Sequence, residues 1–339
     1  MNNSLFNGTV GVNFSNTFQS AATRVSATTA ATQIKATGVK TVKMFTYNQA
    51  ACISAFAKEG LEVLVDIPNG DLQACANNDT TTINTIVDVL SNNASSIPMI
   101  CVGNEPLGSW WNNAYASYLV KALTNIKSAI ATKGLTTKVT VPFNYAIMGN
   151  SYPPSAGAFN HGLKNTILDI CAILKADNSV FMVNVYPFLT HNSQPNNIPL
   201  DYCLFTANSN PGVWVHDNGY TYKNIFDAMY DALLVALENN GYGSLPIVIG
   251  EAGWPAFATK AYPSATVANA QTFNQNLINH CKSGNGTPRN PNVEIPCFLF
   301  EMYDENLKPT NAGAFEQHWG VYGYNTQSKN YQAKYSLTW

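Results

Sequence analysis

Eight short apolar runs, the first seven each followed by a stretch of helical periodicity, recur along the 339 residues of this chain. They occupy residues 9–14, 42–45, 62–67, 99–104, 138–143, 180–186, 245–250 and 297–302. Some are continuous and β-branched, as in Ile247, Val248 and Ile249, the pattern of a strand buried on both faces of a parallel sheet. Helical spacing of apolar residues runs through 20–36, 49–59, 71–76, 82–90, 114–133, 162–175, 222–239 and 267–283. Gly38, Gly60 and Gly134 stand where helices are expected to stop. This alternation predicts an α/β fold of the (β/α)8 TIM-barrel type. An open doubly wound sheet is the alternative, but no glycine-rich phosphate loop follows the first run.

No repeat of 20–50 residues and no linker interrupts the pattern, so residues 1–339 read as a single catalytic domain. The segment 187–219 has little helical signal and is too long for an ordinary connection. It is read as an extra lobe around the sixth strand–helix connection, walling one side of a cleft. The charged fraction of 11% and the net charge of −2 offer no electrostatic basis for binding nucleic acid or an anionic membrane. No apolar run approaches the roughly 18–20 residues of a membrane helix. The start, Met1 to Ser4, lacks a basic region and an apolar core, so the chain is expected to begin after a removed secretion signal. Asn-x-Ser/Thr triplets at Asn2, Asn7, Asn13, Asn78, Asn93 and Asn285 fit an extracellular protein. The seven cysteines show neither a CxxC pair nor zinc-like histidine spacing, so no metal and no cofactor is expected. Their odd number leaves at least one free thiol, and Cys101, inside an apolar run, is expected to be a buried one.

Two of the apolar runs end at a carboxylate. The fourth stops at Asn104 and Glu105, and the seventh at Gly250 and Glu251. Both glutamates are thus expected at the C-terminal ends of barrel strands, where chemistry in such barrels takes place. Two carboxylates reaching one cleft from separate strands are what glycoside hydrolysis requires: one protonates the leaving oxygen, the other attacks or activates water.

Four motifs in fixed order extend this reading: Val102-Gly103-Asn104-Glu105; Val183-Asn184-Val185-Tyr186-Pro187; Gly250-Glu251-Ala252-Gly253-Trp254-Pro255; and Phe300-Glu301-Met302-Tyr303-Asp304-Glu305-Asn306-Leu307-Lys308. With the ending Phe315 to Gly320, they make the chain resemble glycoside hydrolase family 17, the β-1,3-glucanases and related glucan enzymes. The resemblance implies a retaining enzyme with Glu105 as general acid/base and Glu251 as nucleophile, their carboxyls roughly 5–5.5 Å apart. It implies that Asn104 meets the sugar 2-hydroxyl, with Asn184 beside it, and that Tyr186 donates to Glu251. It further implies that Glu305, Lys308 and Glu316 sit by the catalytic pair. Trp110 and Trp111, in a polar stretch after a strand end, are the better candidates for sugar stacking; Trp254 either stacks on a sugar or, the stronger expectation, packs in the core and locks the loop after the seventh strand. Of the adjacent pair Trp110 and Trp111, only one is expected to face the cleft.

Departures accompany the match. Phe45 stands where the family usually has tyrosine, so a phenol near the nucleophile is either lost or supplied by Tyr47. Tyr303 and Asp304 replace the usual Phe and Asn. The expected activity is endo-β-1,3-glucanase by double displacement. The alternatives are a β-1,3-glucanosyltransferase using the same site and a catalytically silent glucan-binding wall protein. The expected partner is a β-glucan polysaccharide or oligosaccharide, and the protein is expected to be monomeric, secreted and associated with the cell wall.

Overall fold

The computed structural model describes residues 8–339; the expectations for Met1 to Ser4, Asn2 and Asn7 lie outside them. Eight parallel strands form a barrel. The first four are Val10–Phe14, Thr41–Met44, Glu62–Ile67 and Met99–Val102. The fifth is Lys138–Thr140 continued by Pro142–Asn144, followed by Phe181–Asn184, Ile247–Ala252 and Cys297–Leu299. The first strand pairs with both the second and the eighth. The fifth closes the ring by splitting: Lys138–Thr140 pairs with the fourth strand and Pro142–Asn144 with the sixth. Proline contributes no N–H to a ladder, and the carbonyl of Pro142 accepts from the backbone N–H of Glu105 at 2.8 Å.

Side chains alternate across each strand, and the barrel separates them into two cores. Val12, Val42, Val63, Val65, Ile100, Val183 and Ile249 join the large core shared with the helices. Leu64, Met99, Cys101, Val180, Met182, Val248 and Phe298 form a second, separate cluster that fills the lumen. Toward the C-terminal ends of the strands the inward positions become polar: Asn13, Lys43, Asp66 and Asn184 are all buried. The lumen is therefore an apolar plug under a polar mouth.

The helices form where expected, with shifted ends. The first runs over Ala27–Thr37 rather than from residue 20, because the Ser26 side chain caps it by accepting from the Thr29 N–H. Residues before the cap are held differently: the backbone N–H of Ser20 donates to Asn306. The helix Ala116–Thr132 buries Leu119, Leu123, Ile126 and Ile130 on one stripe. The segment 187–219 holds more structure than its sequence pattern suggests. It opens with a helix, Pro187–Ser193, whose first position suits proline and which buries Phe188 and His191. A helical turn follows at Leu200–Cys203, and Val215–Asp217 pairs with Tyr220–Tyr222. All seven cysteines are buried free thiols. Among the described residues no helix is long and apolar enough to cross a membrane.

Candidate active site

Strict alternation along the seventh strand would turn Glu251 away from the lumen, since Val248 faces in and Ile249 faces out. A β-bulge prevents this. Ile249 pairs with Val183, but the next partner of the sixth strand, Asn184, is Glu251 rather than Gly250. The extra residue puts Glu251 on the inward face, a re-aiming typical of bulges beside active sites. Gly250 is required there: a Cβ would lie 2.8 Å from both Asn184 Oδ1 and Met182 Cγ.

Glu105 arrives by another route. The fourth strand ends at Val102, and the chain then turns through two left-handed residues, Gly103 (φ 81°) and Glu105 (φ 49°). For a glutamate this backbone costs on the order of 1–3 kcal/mol, strain of the kind that gathers at functional sites. Asn69, from the segment after the third strand, holds the turn at Asn104: its Oδ1 accepts from the Asn104 N–H at 2.9 Å and its Nδ2 donates to the Asn104 carbonyl at 2.8 Å.

The sixth strand joins the two carboxylates. Asn184 Nδ2 donates to Glu105 Oε1 at 2.8 Å. Two residues on, the Tyr186 hydroxyl donates to Glu251 Oε2 at 2.6 Å. Lys43 Nζ lies 3.7 Å from Glu251 Oε1 and 2.9 Å from Asp66 Oδ2. Phe45, Phe300 and Trp319 wall this side, with Phe300 in contact with the Tyr186 ring.

The two glutamates therefore differ electrostatically. Burial and the adjacent charge of Glu251 push the Glu105 carboxyl up to about 8, against smaller opposing effects from Asn184, Lys43 and Lys308. Glu105 thus holds its proton at neutral pH. Glu251 instead meets a phenol donor at 2.6 Å and an ammonium at 3.7 Å.

A second charged group adjoins the pair. Lys308 Nζ lies 3.8 Å from Glu305 and 3.7 Å from Glu316, and 4.3 Å over the Phe300 ring. Burial alone would lower the ammonium, but Glu301, Glu305, Glu316 and Glu251 together raise it. Burial also raises the Glu316 carboxyl, which accepts from Trp319 Nε1 at 3.4 Å. Asn104 Oδ1, Asn184 Oδ1, Glu251 Oε1 and Glu305 Oε1 are buried and have no hydrogen-bond partner among the described residues.

Two aromatic expectations are resolved by burial. Trp254 is 0% exposed, its indole N–H donating to the Ser264 carbonyl and its ring packed on Phe188 and Phe273. It is a core residue and cannot stack on a sugar, which corrects its place among the substrate-binding candidates. Trp111 is tied by its Nε1 to the Glu105 carbonyl at 3.1 Å and packs on Tyr115 while staying 37% exposed, and Trp110 is 57% exposed. Tyr47 does not reach the nucleophile. Its hydroxyl donates to Asp71 at 3.0 Å, so the position near Glu251 is taken by Lys43 over the Phe45 ring at 4.2 Å. Asp304, a departure in the motif that follows the eighth strand, accepts from the Gly320 N–H and from Lys334 Nζ and anchors the C-terminal hairpin.

Lys43, Asp66 and Asn69 are not among the candidates expected from the sequence. Polar residues inside or just after otherwise apolar strand runs were the available clue, because a charged side chain on a buried strand needs a partner. Exposed apolar side chains also gather at this end of the barrel. Phe18, Trp110, Tyr152, Phe257 and Leu307 lie in the loops after the first, fourth, fifth, seventh and eighth strands.

The family model described as glycosyl hydrolases family 17 matches residues 11–337. A glucan endo-1,3-beta-glucosidase of Vitis vinifera is 38% identical over 307 residues, 89% of this chain and 85% of that protein. One of Pisum sativum is 36% identical over 87% of this chain and 77% of its own length. Among solved structures, a beta-1,3-glucanase and allergen of Cryptomeria japonica pollen superposes with a TM-score of 0.85 at 34% identity, covering 98% of this chain and 99% of that one.

Proposed function

The chain belongs to glycosyl hydrolases family 17, and from that premise we propose that it is a retaining endo-β-1,3-glucanase acting through Glu105 and Glu251. It is a glycoside hydrolase; the substrate, the residue roles and the cellular location are the proposed part. The relatives' names, glucan endo-1,3-beta-glucosidase, support the β-1,3-glucan substrate. The observation that carries the roles is the unequal environment of two carboxyls turned into one barrel mouth: one kept protonated, the other given a hydroxyl donor and a neighbouring ammonium.

In the first step an oxygen of Glu251 attacks the anomeric carbon. The glycosidic C–O bond breaks, and the proton of Glu105 passes to the departing oxygen. In the second, Glu105, now a carboxylate, takes a proton from water. The resulting hydroxide displaces Glu251 from the anomeric carbon, and the configuration is restored. The buried oxygens of Asn104, Asn184 and Glu305 suit the hydroxyls of a sugar bound across the mouth. The exposed apolar side chains around the rim, Trp110 foremost, suit the C–H faces of a chain longer than one ring.

This reading also puts the protein outside the cell, in contact with a wall polymer. Asn78 and Asn285 are exposed and head Asn-x-Thr triplets. Asn13 is fully buried and is not a glycan acceptor.

Proton NMR of linear β-1,3-glucan hydrolysis tests the assignment. Newly formed ends are expected as β-anomers with the native enzyme and at a rate lowered by several orders of magnitude with Glu251→Gln. Initial α-anomers would overturn the nucleophile assignment. Release from another β-glucan alone would move the substrate and keep the chemistry.

A further inference from the structure

Lys43 and Asp66 are both fully buried, on neighbouring strands, at inward positions of the barrel mouth. A buried ammonium–carboxylate pair is weak evidence for stability, since desolvating both charges offsets much of their attraction. The pair is also not closed on itself. Its ammonium lies 2.9 Å from Asp66 Oδ2 and 3.7 Å from Glu251 Oε1, and rests on the Phe45 ring at 4.2 Å. The other oxygen of Glu251 is occupied by Tyr186, whereas Oε1 has no hydrogen-bond partner among the described residues.

From this arrangement we infer that Lys43, pinned by Asp66, is a positioning residue that holds a positive charge beside Glu251 while leaving the lone pairs of Oε1 free to attack. The inference rests on Glu251 being the nucleophile. At 3.7 Å the ammonium lowers the energy of the carboxylate through space, but it is too far away to donate a hydrogen bond that would have to break before attack. Asp66 sets that distance: the direct bond it accepts holds the ammonium back. Removing the carboxylate of Asp66 frees the lysine to bond Oε1 and blunt it. Removing both charges leaves Glu251 with Tyr186 alone. Besides Asp66 and Glu251, the titratable groups acting on this ammonium include Cys101 on the fourth strand, and the ammonium in turn acts on Glu105.

The test uses the whole protein in three forms: native, Asp66→Asn, and the double variant Lys43→Met with Asp66→Asn, which removes both charges of the pair together. Carbon-13 NMR of labelled glutamate carboxyls follows each through pH, with the Glu251 signal assigned by its loss in Glu251→Gln. The expected order of titration midpoints for Glu251 is Asp66→Asn lowest, native intermediate and the double variant highest. Hydrolysis of soluble β-1,3-oligosaccharides should show kcat at least ten-fold lower in Asp66→Asn with KM within about two-fold of native. A purely structural pair would leave the three midpoints together, and that result overturns the inference. Absence of glucan hydrolysis by the native protein would instead count against the proposed function, and the order of the midpoints would still read the coupling.

Discussion

Glu105 and Glu251 end similar apolar runs, but the chain delivers and surrounds them differently. Glu251 reaches the lumen through a one-residue bulge and meets a phenol and an ammonium. Glu105 reaches it through a left-handed turn and meets one neutral amide. Both are carboxyls of the same ordinary acidity, so the division of labour comes from what each backbone irregularity points them at. Donors and positive charge around one of two close carboxyls load the shared negative charge onto it and leave the proton on the other.

The most severe way to break this asymmetry is to remove the nucleophile. Glu251→Gln should lower kcat on β-1,3-glucan by roughly 10⁴-fold or more, and on every substrate alike. Glu105→Gln should lower it by about 10²–10⁴-fold on glucan. Its first step should be largely spared on an aryl β-glucoside whose phenol leaves without protonation. Equal losses with both substrates in both variants would erase the proposed distinction between acid and nucleophile.

A gentler change sharpens the comparison. Tyr186→Phe removes a hydrogen bond to a charged group, expected to cost about 1.5–3 kcal/mol and so roughly 10- to 100-fold in kcat/KM. The native pH profile itself should fall on its alkaline side near pH 8. Glu105 holds its proton below that value and loses it above, so the general acid disappears as pH rises. An alkaline limb placed well below neutrality would contradict the environment described for Glu105.

The smallest effect concerns Glu301, a buried acid beside the pair whose carboxyl burial holds well above its usual range and whose oxygens have no partner among the described residues. The folded state binds this proton more tightly than the unfolded chain does. Its stabilising contribution is therefore present at acid pH and lost as pH rises through the raised value. Glu301→Gln should raise Tm by about 2–4 °C on the alkaline side and leave it unchanged at acid pH, as measured by calorimetry at the two extremes.

Much of the barrel was legible in the chain because strand and helix periods are local. The third strand appears with the expected ends, and Gly38 closes the first helix in a left-handed conformation. The segment 187–219 was not legible, because its short helix is held by burying Phe188 and His191 rather than by a repeating stripe. Trp254 was open for a related reason: a tryptophan beside a glutamate at a strand end can stack on a sugar or pack in the core, and only the rings of Phe188 and Phe273 around it decide for the core.

The alternation of eight strands with helices, the order of the motifs and the two glutamates at strand ends are written in the chain, since each depends on residues adjacent along it. The tertiary structure alone decided which way those glutamates face and what they meet. A bulge appears only when two strands are laid side by side. The ammonium of Lys43 reaches Asp66 and Glu251 only when the second, third and seventh strands enclose one lumen. Charge stabilisation acts through space, and spatial neighbours on distant strands leave no periodic trace along a single chain.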